Sequence, residues 1–386
     1  MPPEDFSIRC RKACTPSQVL TDCVLRIASG KIAEVVTGAQ AERAPASAEA
    51  AAVVAPGFID SHVHGARGRD VMDGTVESLA ALSAALAAHG TTSFLATTLS
   101  APYSDTEHAL RAYAAHHGRI AEGALPIGVH MEGPYLNPVR KGTHDASFLR
   151  QTDVPAFTRF LEASGNTVRK ITVAPEMDHG LELIREACAR GIQVSLGHSD
   201  ATFEEARAAV EAGARQATHT FNAMRPFHQR EPGILGLVLT DERVYTEVIA
   251  DGVHVHFAAL GLLLRLKGPE RTILVTDGTS AVDMPDGRYP LGDKQIVLER
   301  GECRDPDGTL AGSVLTLDRA VRNLVQILQV PLCDALAAAS ATPARSLGLG
   351  GRKGVIAPGA DADLVFLDEE LRVVKTMVAG RVVYRT

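Results

Sequence analysis

A basic surplus, long apolar runs and paired cysteines are all missing from this 386-residue chain, and each gap removes a class of function. The formal net charge is −7. A nucleic-acid or anionic-membrane binder needs a concentrated basic surface, so neither is expected. No stretch is long and apolar enough to predict a membrane crossing. Met1-Pro2-Pro3-Glu4-Asp5 lacks the basic-then-apolar order of a secretory leader, which makes the cytoplasm the expected compartment. Six cysteines in a chain of this size do not form a disulfide framework. Cys10, Cys14 and Cys23 cluster without the C-x-x-C spacing of a zinc ribbon, and all six are read as reduced, mostly structural thiols. What remains, 45% hydrophobic and 22% charged residues, is ordinary for a soluble enzyme with one large domain and a small one.

The most informative stretch is Pro56-Gly57-Phe58-Ile59-Asp60-Ser61-His62-Val63-His64-Gly65, which follows the apolar run Ala51 to Ala55. Phe58, Ile59 and Val63 continue a buried strand. His62 and His64 are two residues apart, so both point to one face of it and make half of a metal site. From there the pattern alternates. Helix-like segments Val76 to His89, Asp105 to His117, Leu181 to Arg190, Phe203 to Ala212 and Phe257 to Lys267 separate apolar runs at Thr91 to Thr98, Leu125 to His130, Ile171 to Ala174, Gln193 to Leu196, Gln216 to Thr220, Val244 to Ala250 and Thr272 to Thr276. With the first strand this predicts an α/β chain folded as a (β/α)8 TIM-type barrel, with a doubly wound open sheet as the alternative. Helices are expected over Leu317 to Gln329 and Leu332 to Ala341. Short strands at Val24 to Ala28 and Ile32 to Val36, a loop over Ala39 to Ala52, and a strand-and-turn tail predict a small β-sandwich domain built from both chain termini. Residues 1–55 and 355–386 would form it, around a catalytic barrel of residues 56–354.

The predicted strand ends carry His62 and His64, Glu132, His198, His219, Asp251 with His254, and Asp277. In a barrel these ends open onto one face, and that face carries the chemistry. Singly, each has a plain alternative: a satisfied core histidine, a surface one, half of a salt bridge. Their recurrence at the same place on successive strands argues for a site.

These residues also carry a resemblance. The Pro56–Gly65 stretch, with Gly354-Val355-Ile356-Ala357-Pro358-Gly359-Ala360-Asp361-Ala362-Asp363-Leu364-Val365, resembles the amidohydrolase superfamily. His130-Met131-Glu132-Gly133-Pro134-Tyr135, Lys141-Gly142-Thr143-His144, Gly197-His198-Ser199, His219-Thr220-Phe221-Asn222-Ala223-Met224, Arg230-Glu231-Pro232-Gly233, Ala250-Asp251-Gly252-Val253-His254 and Thr276-Asp277 are similar to the N-acetylglucosamine-6-phosphate deacetylase family. The resemblance runs from about Val24 onward. In that family some members carry Gln and Asn-like residues at the first motif and hold one metal, whereas others keep His-x-His and can hold two.

The resemblance implies Glu132, His198 and His219 as ligands of a main divalent metal, with His62 and His64 holding a second ion that Glu132 bridges. Zinc suits the donor set, and iron, cobalt or manganese would also fit. It further implies Asp277 as the group that takes a proton from water and passes it to the sugar nitrogen, and His144 as a donor to the acetyl oxygen. Thr143, Asn222, Ala223 and His254 would line the sugar pocket, closed by Leu310, Ala311 and Gly312. Arg230 would grip the phosphate of a neighbouring subunit's substrate, which implies a homodimer. Glucosamine 6-phosphate and acetate are the expected products. The rival readings are another amidohydrolase, acting on N-acetylgalactosamine 6-phosphate or a cyclic amide, and a non-catalytic scaffold. Gly278, where the family more often has Ala, raises the question of backbone freedom beside Asp277.

Overall fold

The structure is a computed structural model that describes residues 5–15, 18–48, 51–120 and 122–386. Residues 1–4, on which the expectation of no leader chiefly rests, and residues 49 and 50, within the expected loop, lie outside the described residues.

Eight strands, Phe58–Val63, Thr91–Thr98, Leu125–Glu132, Val168–Val173, Gln193–Leu196, Gln216–Ala217, Tyr245–Val248 and Thr272–Leu274, pair in parallel and in chain order. The first meets the last through the parallel bridge of Val63 with Gly278, where Asp277 N–H donates to His62 O (2.9 Å) and His64 N–H to Gly278 O (2.8 Å). That closure makes the sheet a barrel and removes the open-sheet alternative. The strands are buried on both faces, Phe58–Val63 and Thr91–Thr98 at every residue, as expected of a parallel sheet covered by helices.

Local signals set where the helices begin and end. Helix Val76–Ala88 starts at Thr75, whose hydroxyl accepts from Ser78 N–H at 3.1 Å. It gives way to a strand at Gly90, where φ is +81° and a side chain would run into Val365 and Phe58. Helix Phe203–Glu211 opens on a capping box between Thr202 and Glu205. The expected Leu332 to Ala341 helix divides at Ser340 into Leu332–Ala339 and Ala341–Ser346, and the one from Leu317 stops at Gln326.

Helices Val154–Ala163 and Gly233–Thr240 were not foreseen, and neither was a three-stranded antiparallel sheet, Gly287–Leu291, Lys294–Glu299 and Glu302–Arg304, inserted after the last barrel strand. It has its own apolar cluster, including Leu99, Leu291, Ile296, Leu298 and Ala311.

The terminal segments form one eight-stranded sheet. Phe6–Cys14, Val19–Ala28, Lys31–Val36, Ser47–Ala48 and Val53–Pro56 come from the first part of the chain, and Leu364–Leu367, Val373–Val378 and Arg381–Arg385 from the last. Ile8, Leu25, Ile27 and Ile32 from one half share a cluster with Leu364, Phe366 and Met377 from the other, so the sheet folds over itself as a sandwich. Val365, Leu367 and Val373 face the other way, onto Phe58 and the barrel. The segment expected as a loop contains a short helix, Gly38–Arg43, which buries Ala41. None of the six cysteines is in a disulfide. Among the described residues no helix is long and apolar enough to cross a membrane.

Candidate active site

Glu132, the last residue of the third barrel strand, is the hub of the barrel mouth. Its Oε1 lies 3.1 Å from His219 Nε2 and 3.3 Å from His198 Nε2. Its Oε2 lies 3.1 Å from His64 Nε2 and 3.4 Å from His62 Nε2. Asp277 Oδ1 approaches the same two rings, at 3.4 Å from His62 and 3.2 Å from His64. His64, His198 and Asp277 follow strands rather than ending them, and three of these groups sit on unusual backbone: φ is +47° at His198, +28° at His219 and +49° at Asp277. L-residues hold such angles only where surrounding bonds over-determine them. Here Asn137 N–H donates to His198 O, Asn222 N–H to His219 O, and Ser313 N–H to Asp277 O, at 2.9, 3.0 and 2.8 Å. The left-handed residue is thus Asp277 itself. Gly278 is not left-handed, and a methyl there would meet Thr276 Oγ1 and Val282 Cγ2 at 3.1 Å. Gly133 does need to be glycine, with φ +96° and Ser100 Oγ where a Cβ would stand.

Two donor sets can hold a metal ion, His62 with His64 and Glu132, and Glu132 with His198 and His219, all buried. The residues fit such a group. His198 and His219 bring their Nε2 atoms within 3.1 Å of each other, and His62 and His64 theirs within 3.3 Å. Two imidazole acceptors face one another at that range only with a proton or a cation to share. The buried Nδ1 atoms of His64 and His219 have no hydrogen-bond partner among the described residues. Without a cation the cluster recruits protons instead. Burial opposes charge on His62, yet Glu132 and Asp277 raise its pKa to about 10. His64 is raised to about 9 against the same burial penalty, by its bonds to Asp277 and Glu132. Burial likewise opposes charge on the two carboxylates, but His62 leads the imidazoles that hold Glu132 well below the usual range, and His62 and His64 hold Asp277 at about 2. Buried carboxylates that draw positive charge this strongly are the electrostatics of a cation site.

His144 behaves differently. Burial pushes its pKa down to about 4, so the ring is neutral at pH 7. Ser100 N–H donates to its Nδ1 at 3.4 Å, which assigns the ring hydrogen to Nε2, 3.6 Å from Glu132 Oε2. The result is a neutral donor directed at the cluster.

The cavity over this cluster is walled by Thr143, His144, Asn222, Ala223, His254, Leu310 and Gly312. Two expected members are elsewhere. Ala311 is fully buried in the cluster under the inserted sheet, because its backbone is tied to that sheet, Ala311 N–H donating to Cys303 O at 3.0 Å. Arg230 is exposed on its loop and forms no part of the wall in a single chain. Asp251 acts behind His254, bonding its Nδ1 at 2.7 Å. Leu99, Thr279, Leu291 and Thr309 were not foreseen, and Leu291 comes from the inserted sheet. Also missed were Lys170 and Glu247, an ion pair with no exposed surface inside the barrel. The local signal was slight: strand Val168–Val173 carries Arg169 and Lys170 side by side, and the period of two turns Arg169 outward and Lys170 inward.

A closed (β/α)8 barrel with a buried His/carboxylate cluster at the C-terminal ends of its strands defines a metal-dependent hydrolase scaffold. The amidohydrolase family model matches residues 53–383. At 39% identity over 376 residues, 97% of this chain and 98% of the relative, the chain is similar to an N-acetylgalactosamine-6-phosphate deacetylase of Escherichia coli O157:H7. It is 41% identical to an N-acetylglucosamine-6-phosphate deacetylase of Vibrio furnissii over 85% of this chain and 82% of that one. A Mycobacterium smegmatis N-acetyl-D-glucosamine-6-phosphate deacetylase variant, solved in complex with N-acetyl-D-glucosamine-6-phosphate, superposes with a TM-score of 0.93 at 36% identity, covering 98% of this chain and 99% of that one. The chain belongs to the amidohydrolase family, in its N-acetylglucosamine-6-phosphate deacetylase branch.

Proposed function

We propose that this chain hydrolyses the acetamide of N-acetylglucosamine 6-phosphate to glucosamine 6-phosphate and acetate. The observation that carries the reading is the shared carboxylate: Glu132 turns one oxygen to His198 and His219, the other to His62 and His64, with Asp277 beside them in the cavity wall. Glu132, His198 and His219 would hold one divalent cation, zinc by preference, with iron, cobalt or manganese as substitutes; His62 and His64 with Glu132 would hold a second. When bound, the cation supplies Lewis acidity, which polarises the acetyl carbonyl and makes water a stronger acid.

The chain's own groups do the rest. Asp277, ionised at neutral pH, accepts the proton of the attacking water and passes it to the sugar nitrogen, which is the stronger base once the amide resonance is lost. His144 Nε2–H donates to the oxygen that gains charge in the tetrahedral state, and being neutral it brings no competing cation into the cluster. Thr143, Asn222 and His254 orient the sugar. Among the described residues the cavity wall contains no lysine or arginine, so a phosphate dianion bound there lacks a strong counter-charge from its own chain. Arg304, the cation that bears on His254, is engaged by Glu302 at 2.7 Å. A homodimer in which Arg230 reaches across to the neighbouring site supplies that charge. We place the reaction in the cytoplasm, where six reduced thiols and a phosphorylated substrate are at home.

A second reading, N-acetylgalactosamine 6-phosphate as the preferred epimer, is favoured by the similarity to the Escherichia coli relative of that name. Acetate release from both epimers, with and without phosphate, tests the two together. The proposal expects the phosphorylated glucose epimer to have the highest kcat/KM. A higher value for the galactose epimer would move the assignment to the second reading, and release from neither would refute both.

A further inference from the structure

We propose that Glu247 is a positioning residue for the donor set of His62, His64 and Glu132. Its Oε2 takes the Nδ1 hydrogen of His62 and thereby commits Nε2 of that ring to ligation. The inference rests on the deacetylase reading above and assigns a residue that the reading does not use. Glu247 has no exposed surface and lies on strand Tyr245–Val248. Its Oε1 is fully engaged, accepting from Ser61 Oγ at 3.1 Å, from Gln216 Nε2 at 2.5 Å and from the Lys170 ammonium. Lys170, equally buried, makes a second bond to Ser61 O at 2.9 Å, and Gln216 is held at its other end by Ser346 Oγ at 2.5 Å. Groups on the first, fourth and sixth barrel strands therefore clamp one oxygen of a carboxylate carried by the seventh. The other oxygen is left to meet His62 Nδ1 at 3.3 Å.

The four imidazoles of the two donor sets are not supported alike. His198 Nδ1 bonds the backbone carbonyl of Arg140 at 2.8 Å, whereas His64 Nδ1 and His219 Nδ1 have no partner among the described residues. One ring in each set is thus oriented from behind, and only His62 by a carboxylate. A carboxylate behind a ligating imidazole fixes its tautomer and raises its basicity; losing such a partner costs about 10- to 100-fold in metal affinity. Lys170 cancels the charge of Glu247, so the pair orients His62 without adding net charge to the site. A pair that merely filled the barrel interior would not need its second oxygen aligned on a ring nitrogen.

Protein stripped of metal by chelation is titrated with Zn2+, and with Co2+ to follow visible absorption. Glu247→Gln keeps an acceptor but removes the charge. It also leaves Lys170 buried without a counter-charge, which can prevent folding. Lys170→Met/Glu247→Gln removes both charges and is the companion variant. The proposal expects the parent to bind two ions. Both variants should bind the first with parental affinity and the second about 10- to 100-fold more weakly, with altered Co2+ absorption for that ion alone. His62→Asn/His64→Asn, which should abolish the second isotherm, identifies it. A folded variant that binds the second ion with parental affinity overturns the inference while leaving the deacetylase reading intact. A parent that binds only one ion removes the two-ion reading as well, and this is visible before any variant is made. Long-range 1H–15N correlation of His62 in the parent supplies an independent readout: a hydrogen on Nδ1 is expected, and a bare Nδ1 overturns the proposal even if neither variant folds.

Discussion

At the scale of the residue the proposed chemistry turns on Asp277. Its Oδ1 lies 3.4 Å from His62 Nε2 and 3.2 Å from His64 Nε2, and its left-handed backbone is held by bonds to His62 O and Ser313 N–H. Asp277→Asn keeps the shape and cannot accept a proton, so kcat should fall by at least about 10³ while KM and metal content hold. Retention of more than about a tenth of kcat, or recovery with added metal, would mean that Asp277 is only a ligand. His62→Asn/His64→Asn makes the complementary case. Metal analysis should show one ion fewer per chain with the ion on Glu132, His198 and His219 retained, and an unchanged stoichiometry would reject the second site. These side chains were legible because metal-ligand and proton-transfer chemistry belongs to residue types, and a spacing of two on a strand shows both imidazoles on one face. Glu247 was not legible, because nothing local distinguishes a carboxylate that faces the barrel interior from one that faces water.

Among the elements, helix Val76–Ala88 is tied down at its C-terminal end by His89, which hydrogen-bonds Asp283 Oδ1 through Nε2 (2.8 Å) and pairs ionically with Asp318, Nδ1 lying 3.3 Å from Oδ1. Asp318 opens helix Leu317–Gln326, so the imidazole joins two helices and a loop. Burial opposes its charge, but the bonds to Asp283 and Asp318 raise its pKa to about 9. A histidine whose folded pKa lies above its unfolded value of about 6.5 stabilises the fold fully below that value, and the contribution fades as pH rises through 9. His89→Gln should therefore cost about 1 kcal/mol at pH 6, discounted for a side chain 26% exposed, and almost nothing at pH 10. Thermal unfolding of both proteins across that range checks it; a cost independent of pH would assign the loss to packing instead. The inserted sheet works at the same scale. Lys294 Nζ bonds Thr143 O at 2.8 Å and Asp305 Oδ2 accepts from Thr143 Oγ1 at 3.3 Å, so an element that the helix-strand alternation did not reveal braces the loop that carries His144.

In the proposed function the phosphate is held at the scale of the whole molecule. Arg230→Ala should raise KM for the phosphorylated sugar about 10- to 100-fold, the worth of a charge-assisted hydrogen bond, and leave the poor activity on the unphosphorylated sugar nearly unchanged. Equal losses on both would indicate a folding or assembly defect. If Arg230 acts across a dimer, mixing inactive Asp277→Asn chains with Arg230→Ala chains under exchange restores one intact site in each mixed dimer. Random exchange then recovers about a quarter of parental activity at low substrate. No recovery, with subunit exchange verified by mass, would place Arg230 in its own chain's site or outside any site.

By itself the sequence determined the order of strands and helices, the histidines and carboxylates at the strand ends, and the family that those blocks resemble. Hydrophobic period, capping and glycine stops act over a few residues and are therefore written locally. Only the tertiary structure decided that the first strand meets the last, that Glu132 serves both histidine pairs, that Ala311 turns into the inserted sheet, and that Lys170 finds Glu247. Those outcomes depend on the tilt and stagger with which eight strands close a ring, which sets distances between residues up to about two hundred positions apart and leaves no trace in any short window of the chain.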